Sequence, residues 1–164
     1  MSFQTHANYT WPIGFEGDFA SANPHKTVPS TTLGFKAGTS GVIVGRFAWA
    51  DDQGFVSNAG STIPTGFVYR NQQAFITDVT KSYTNTINAG FPVTLAEGGD
   101  FWVKSSTESS VGQAVYASTA DGSISTAAKG TAPANTVETG WTVARGGKAG
   151  DLIIVNGPAH TLQR

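Results

Sequence analysis

The sequence predicts an all-β protein, and three observations carry that expectation. Short β-branched and aromatic runs recur along the chain, and Gly-rich turns separate them. No window sustains the i, i+3, i+4, i+7 apolar spacing of an amphipathic helix. Short strands with frequent turns build a sandwich or a barrel.

Residues 1–40 lack sustained periodicity, yet carry Phe3, Tyr9, Trp11, Phe15, Phe19 and Phe35 among Gly, Pro, Ser and Asn. Disordered tails are poor in aromatics. The segment is therefore expected to be an extended N-terminal arm that docks on its own body or on a neighbour, with residues 41–164 as the β body. The pattern changes at Val42: "VIVGRFAWA" reads as a strand, "DDQG" as a turn and "FVSN" as the returning strand. "GFVYRNQQAFITDV" reads as one long or two short strands, "FPVTL" as the next, "AEGGD" as a turn and "FWVKS" as a strand. "VGQAVYAST", "SIST", "TGWTVAR" and "DLIIVNG" complete the set.

An internal echo supports this reading. "VGRFAWADDQGFVSNA" from Val44 and "VGQAVYASTADGSISTA" from Val111 share Val-Gly, an aromatic (Trp49 or Tyr116) before Ala, a turn with Gly54 or Gly122, and then Val56-Ser57 or Ile124-Ser125. The layout is a strand–turn–strand unit used twice, with Gly where a positive φ is needed.

Composition narrows the function. The 164 residues suffice for one core-bearing domain, and zero cysteines exclude a disulfide framework and thiolate metal sites. Net charge is −1 and the ten Lys and Arg are scattered, so no basic stripe points to nucleic acid. No apolar run is long enough to span a bilayer and no secretory signal follows Met1, so a soluble protein made in the cytoplasm is expected, without a membrane partner. Charged residues are 13% of the chain, about half the usual fraction of ~25%. A surface so weakly charged is poorly defended against association, which fits one covered by other protein.

Sites for chemistry are few. Glu16, Asp18 and His25 fall within one short stretch and could form an acid–base set, but Gly, Ala, Ser and Asn surround them. Together with "EGGD" at Glu97–Asp100 they read as turn residues rather than as calcium ligands. His6, His25 and His160 have no metal-ligand spacing, so no metal is expected. No G-x-S-x-G elbow occurs, "GGKAG" at Gly146 fails as a phosphate loop, and "NYT" at Asn8 is a chance sequon. Phe47, Trp49, Phe67, Phe75, Phe101 and Trp102 read as core, with sugar stacking the alternative for Trp102 or Trp141. Trp11, Phe15 and Phe19, outside any strand alternation, read as docking anchors. Arg70, Asn71, Gln72 and Gln73 form a polar stripe suited to inter-subunit hydrogen bonds or to a solvated strand face.

Four ordered segments carry a likeness. "GFEGDFASANP", "GRFAWADDQGFVSNAG", "TGFVYRNQQAFIT" and "AGFPVTLAEGGDFWV" resemble the structural cement (capsid decoration) proteins of tailed bacteriophages. The likeness spans Asn8 to Val103. It thins to an AGD-apolar strand layout at Leu152–Val155, and Thr107–Thr139 departs from the pattern. It implies a small β-barrel or jelly-roll-like sandwich without catalytic activity or cofactor. Such a protein binds the outside of the assembled major capsid protein shell and clamps neighbouring capsomers, as a homodimer or homotrimer on the virion. Carried onto this chain, Trp11, Phe15, Glu16, Asp18, Phe19, Asn23 and Pro24 fall in the capsid-facing or intersubunit region. A carbohydrate-binding β module displayed on the virion is the competing expectation.

Overall fold

The computed structural model describes residues 14–30, 34–71 and 84–158. Every regular element among them is a strand. In chain order these are β1 (Lys26–Thr27), β2 (Lys36–Ala37), β3 (Val42–Ile43), β4 (Phe47–Ala50), β5 (Phe55–Ser57), β6 (Gly66–Val68) and β7 (Thr86–Ile87). They continue as β8 (Leu95–Gly98), β9 (Asp100–Lys104), β10 (Ala114–Ser118), β11 (Ile124–Ala127), β12 (Thr136–Arg145) and β13 (Leu152–Asn156). A six-stranded sheet runs β1-β8-β6-β4-β5-β2, a five-stranded sheet runs β11-β10-β12-β13-β9, and β3 pairs with β7 as a ribbon. Among the described residues neither large sheet closes on itself, and the architecture is a β sandwich.

Alternation along the strands explains the layers. Phe47, Trp49, Phe67 and Ala96 of the six-stranded sheet meet Phe101, Val103, Val115, Ala117, Trp141, Val143, Ile153 and Val155 of the five-stranded sheet in one core. Residues between them in the six-stranded sheet, Ala48, Val68 and Leu95, face the other way, into a second cluster with Val42 and Ile87 of the ribbon. The six-stranded sheet is thus covered on both faces, which is why its strands read as continuous apolar runs. The first core centres on aromatics: Trp141 lies 5.6 Å from Phe47, 5.7 Å from Phe67 and 5.9 Å from Phe101 between ring centroids. These spacings fall in the favourable range for tilted and edge-to-face rings.

The internal echo folds as two equivalent hairpins. Trp49 pairs with Ser57 in β4–β5, and Tyr116 pairs with Ser125 in β10–β11. Gly54 and Gly122 hold φ of 84° and 67° in the two turns. The hairpins belong to different sheets and are joined at the second turn, where the Phe47 amide donates to the Gly122 carbonyl at 3.0 Å. A Cβ on Gly122 would collide with that Phe47 carbonyl oxygen, so no other residue fits the junction.

Three strand boundaries differ from expectation. "VIVGRFAWA" is split at Gly45 into β3 and β4, which belong to different sheets. "FPVTL" is mostly irregular: β8 starts only at Leu95, and the expected "AEGGD" turn lies largely inside β8 and β9. Gly99 is the point where the chain crosses from one sheet to the other. The strand expected through Arg70 ends at Val68, and residues 72–83, including Gln72 and Gln73, fall outside the described residues.

Candidate functional site: a strap across the sheet seam

Residues 14–24 form a strap across the gap between the two large sheets. The Gly17 amide donates to the Trp102 carbonyl of β9 at 2.7 Å, and the Gly17 carbonyl accepts from the Arg70 amide, just beyond β6, at 2.8 Å. One residue therefore ties the five-stranded sheet to the six-stranded sheet. Its φ is 87°, and an added Cβ would press on the Val44 side chain. Only glycine satisfies both demands. Further along, the Trp102 amide donates to Asp18 O at 2.9 Å and the Ala20 amide to Asp100 O at 2.8 Å, so the strap covers the outer edge of β9.

Each sequence-derived candidate among the described residues takes a definite place. Phe15 is 69% exposed, with the Arg70 guanidinium 5.4 Å from its ring centroid. Phe19 is 42% exposed and packs at 5.0 Å on Phe101, 5.3 Å on Tyr69 and 4.7 Å on His25. Asp18 closes the turn by accepting from the Phe15 amide at 3.1 Å, and its carboxylate lies 3.5 Å from Arg70 Nε. Asn23 donates to Asp100 at 2.7 Å, and Pro24 is exposed. Arg70 is bound within the chain, donating to Asn85 at 2.9 Å as well, while Asn71 is half-buried beside it. Trp11 lies outside the described residues.

Glu16, Asp18 and His25 do not converge. Glu16 packs on Gly45, Asp18 serves the turn and Arg70, and the His25 ring packs at a tilt against Phe19. Among the described residues no three His, Asp or Glu stand together as a metal site. Trp141 lies in the core at 3% exposure, and Trp102, at 8%, is covered by Gly14 and by Arg145, 5.3 Å from its ring centroid. Neither offers the open ring face that sugar stacking needs.

One constellation escaped sequence reading. Asp100 accepts from Ser21 Oγ at 2.6 Å, from Asn23 Nδ2 at 2.7 Å and from Asn156 Nδ2. A single carboxylate on β9 thus clasps the strap on one side and β13 on the other. Burial pushes the Asp100 carboxyl up, but the hydrogen bonds from Ser21, Asn156 and Asn23 outweigh it and hold the group below its ordinary value. Asp121 behaves likewise: burial is outweighed by hydrogen bonds from Ser123 and Ser118 and by Arg46, 2.7 Å away. Glu16 goes the other way: burial raises it despite the opposing charges of Arg46, Lys104 and Arg70. Ser21 and Asp100 stand 79 positions apart, so spacing could not have paired them.

The sequence profile of the XM1 gp53 minor capsid protein family matches residues 3–157. The chain belongs to that family. A solved structure described as "The capsid of Myoviridae Phage XM1" contains a similar chain, 18% identical, with a TM-score of 0.57 over 95% of this chain and 97% of the other. At that identity the likeness shows a shared fold. No curated protein matches. Family membership makes this a phage capsid protein with a structural role, in keeping with the resemblance seen in its motifs.

Proposed function

We propose that this protein is a non-enzymatic cement protein that binds the outer surface of the assembled major capsid protein shell and clamps neighbouring capsomers. It acts as a homodimer or homotrimer. The observation that carries this reading is the match to a minor capsid family over nearly the whole chain. The strap adds support. It holds Phe15 and Phe19 exposed on a scaffold fixed to both sheets, and rigid aromatic anchors of this kind fill partner pockets at little entropic cost. In this reading Phe15, Phe19, Asn23 and Pro24 face the shell or a neighbouring subunit, with Glu16 and Asp18 fixing the strap beneath them.

Such a protein needs no chemistry. Binding the assembled shell better than free subunits stabilises the shell by mass action, and many symmetry-related copies multiply a modest interface. The test is sedimentation of the purified protein with undecorated shells. Saturable co-sedimentation that resists Trp102→Phe but falls in the Phe15→Ala/Phe19→Ala double variant is expected. A folded protein that stays in the supernatant at every concentration contradicts the proposal.

A further inference from the structure

An open cleft of about 330 Å³ lies beside the strap, where β9 ends and β4, β11 and β13 begin; Glu16, Arg46, Lys104, Ser106 and Ser123 line it. This volume is at the small end of ligand-sized pockets, roughly 300–1,000 Å³. Its hydroxyl protons are already committed. Ser106 Oγ donates to Ile124 O at 2.9 Å, and Ser123 Oγ donates to Asp121 at 2.7 Å. Arg46 uses Nη1 on Asp121, leaving Nε and Nη2 without a partner among the described residues. Lys104 and Glu16 make no hydrogen bond or ion pair within 4 Å among the described residues, although both line the same cleft. The recess therefore presents one unspent carboxylate acceptor facing unspent ammonium and guanidinium donors.

The Arg46 charge is offset by its ion pair with Asp121, which is not itself part of the lining, and this leaves Glu16 against Lys104 across the cleft. An anionic guest gains Lys104 but meets Glu16, and a cationic guest meets the reverse. Each brings a like charge into a partly desolvated site, which opposes binding. An uncharged group with one donor edge and one acceptor edge gains on both sides without that penalty. The carboxamide of Asn or Gln has this character, with an NH₂ for Glu16 and a carbonyl for Lys104 or Arg46. Hydrogen bonds to ionised partners are roughly twice as strong as neutral ones. We infer that the cleft is a docking site for the carboxamide of an Asn or Gln side chain on a loop of a protein partner. The inference builds on the capsid-docking reading, since the guest would join Glu16 of the strap to Arg46 and Lys104 of the two sheets.

Two measurements test it. In the first, isotope-labelled full-length protein is titrated by NMR with acetamide, acetate and methylammonium. Saturable shifts at the Gly45, Ser106 and Gly150 amides with acetamide, abolished by Glu16→Ala, are expected. Shifts there with only acetate or only methylammonium, or with none of the three, overturn the inference. In the second, Glu16→Ala and Lys104→Ala are compared with the wild type in shell co-sedimentation. Both are expected to weaken binding about tenfold, the loss of one hydrogen bond to a charged group in a partly exposed site. Opposite effects of the two variants would reveal an ionic guest and overturn the carboxamide. Wild-type-like binding by both would remove the cleft from the interface while leaving the cement role intact. Failure of the wild type to bind shells would count against the cement role, and the titration alone would then decide the cleft.

Discussion

The aromatic core between the sheets and the strap that crosses their seam hold the same two sheets together by opposite means. In the core, Phe47, Phe67, Phe101 and Trp141 are all at or below 3% exposure and touch one another across the gap. Along the strap, Phe15 is largely exposed and Phe19 partly so, and attachment rests mainly on backbone hydrogen bonds at Gly17, Asp18 and Ala20 and on the Asp100 clasp. Burial of apolar area is large, non-directional and insensitive to pH. A polar clasp is small, directional and titratable. The core thus fixes the fold, while the strap is a precisely aimed surface element whose stability is local.

The largest expected effect comes from breaking the core. Trp141→Ala should destabilise the protein by about 3–5 kcal/mol in urea unfolding, because the cavity would sit where both sheets meet. Gly17→Ala should act on the strap alone. Strain at a positive φ and pressure on Val44 should cost roughly 1–3 kcal/mol and speed hydrogen exchange of the Trp102 and Arg70 amides, while Val143 and Ile153 stay protected. Equal acceleration in both regions would show that strap and core unfold as one unit.

The clasp should respond to pH with a definite sign. Asp100 is held below its ordinary value of 3.8, so the folded state binds fewer protons than the unfolded state in that range. Its contribution is complete above that value and is lost as pH falls through the lower folded-state value. Glu16 is raised above 4.5, so its burial costs stability above its folded-state value, and that cost is relieved as pH falls towards 4.5. Thermal unfolding followed from neutral to strongly acid pH should show a slight gain first and a loss later. Asp100→Asn should lower stability by about 1 kcal/mol at neutral pH and remove much of the late loss. The smallest effect on folding should come from Phe15→Ala, within about 0.5 kcal/mol in unfolding experiments. A larger loss would mean that Phe15 anchors the strap rather than facing outward.

Much of the fold was legible in the sequence, for stated reasons. The absence of helical periodicity gave the class, and the echo between Val44 and Val111 gave two hairpins with matching Trp49–Ser57 and Tyr116–Ser125 pairs. Sheet membership was not legible. Gly45 and Gly99 look like ordinary turn residues, yet each marks a change of sheet, a decision made by long-range packing. The strap was visible only as an aromatic segment without alternation. Its partners, Asp100, Trp102 and Arg70, are distant in sequence and carry no local mark of their role. The family role was legible in ordered motifs rather than in any local pattern of catalytic residues.

Hydrogen exchange of the protein alone and bound to undecorated shells tests the central claim most directly. Selective protection of residues 14–24 on shell binding, with the core amides of β9, β12 and β13 unchanged, is the predicted result. Protection confined to other surfaces, with the strap exchanging as fast on the shell as off it, would contradict the strap's role as the docking element.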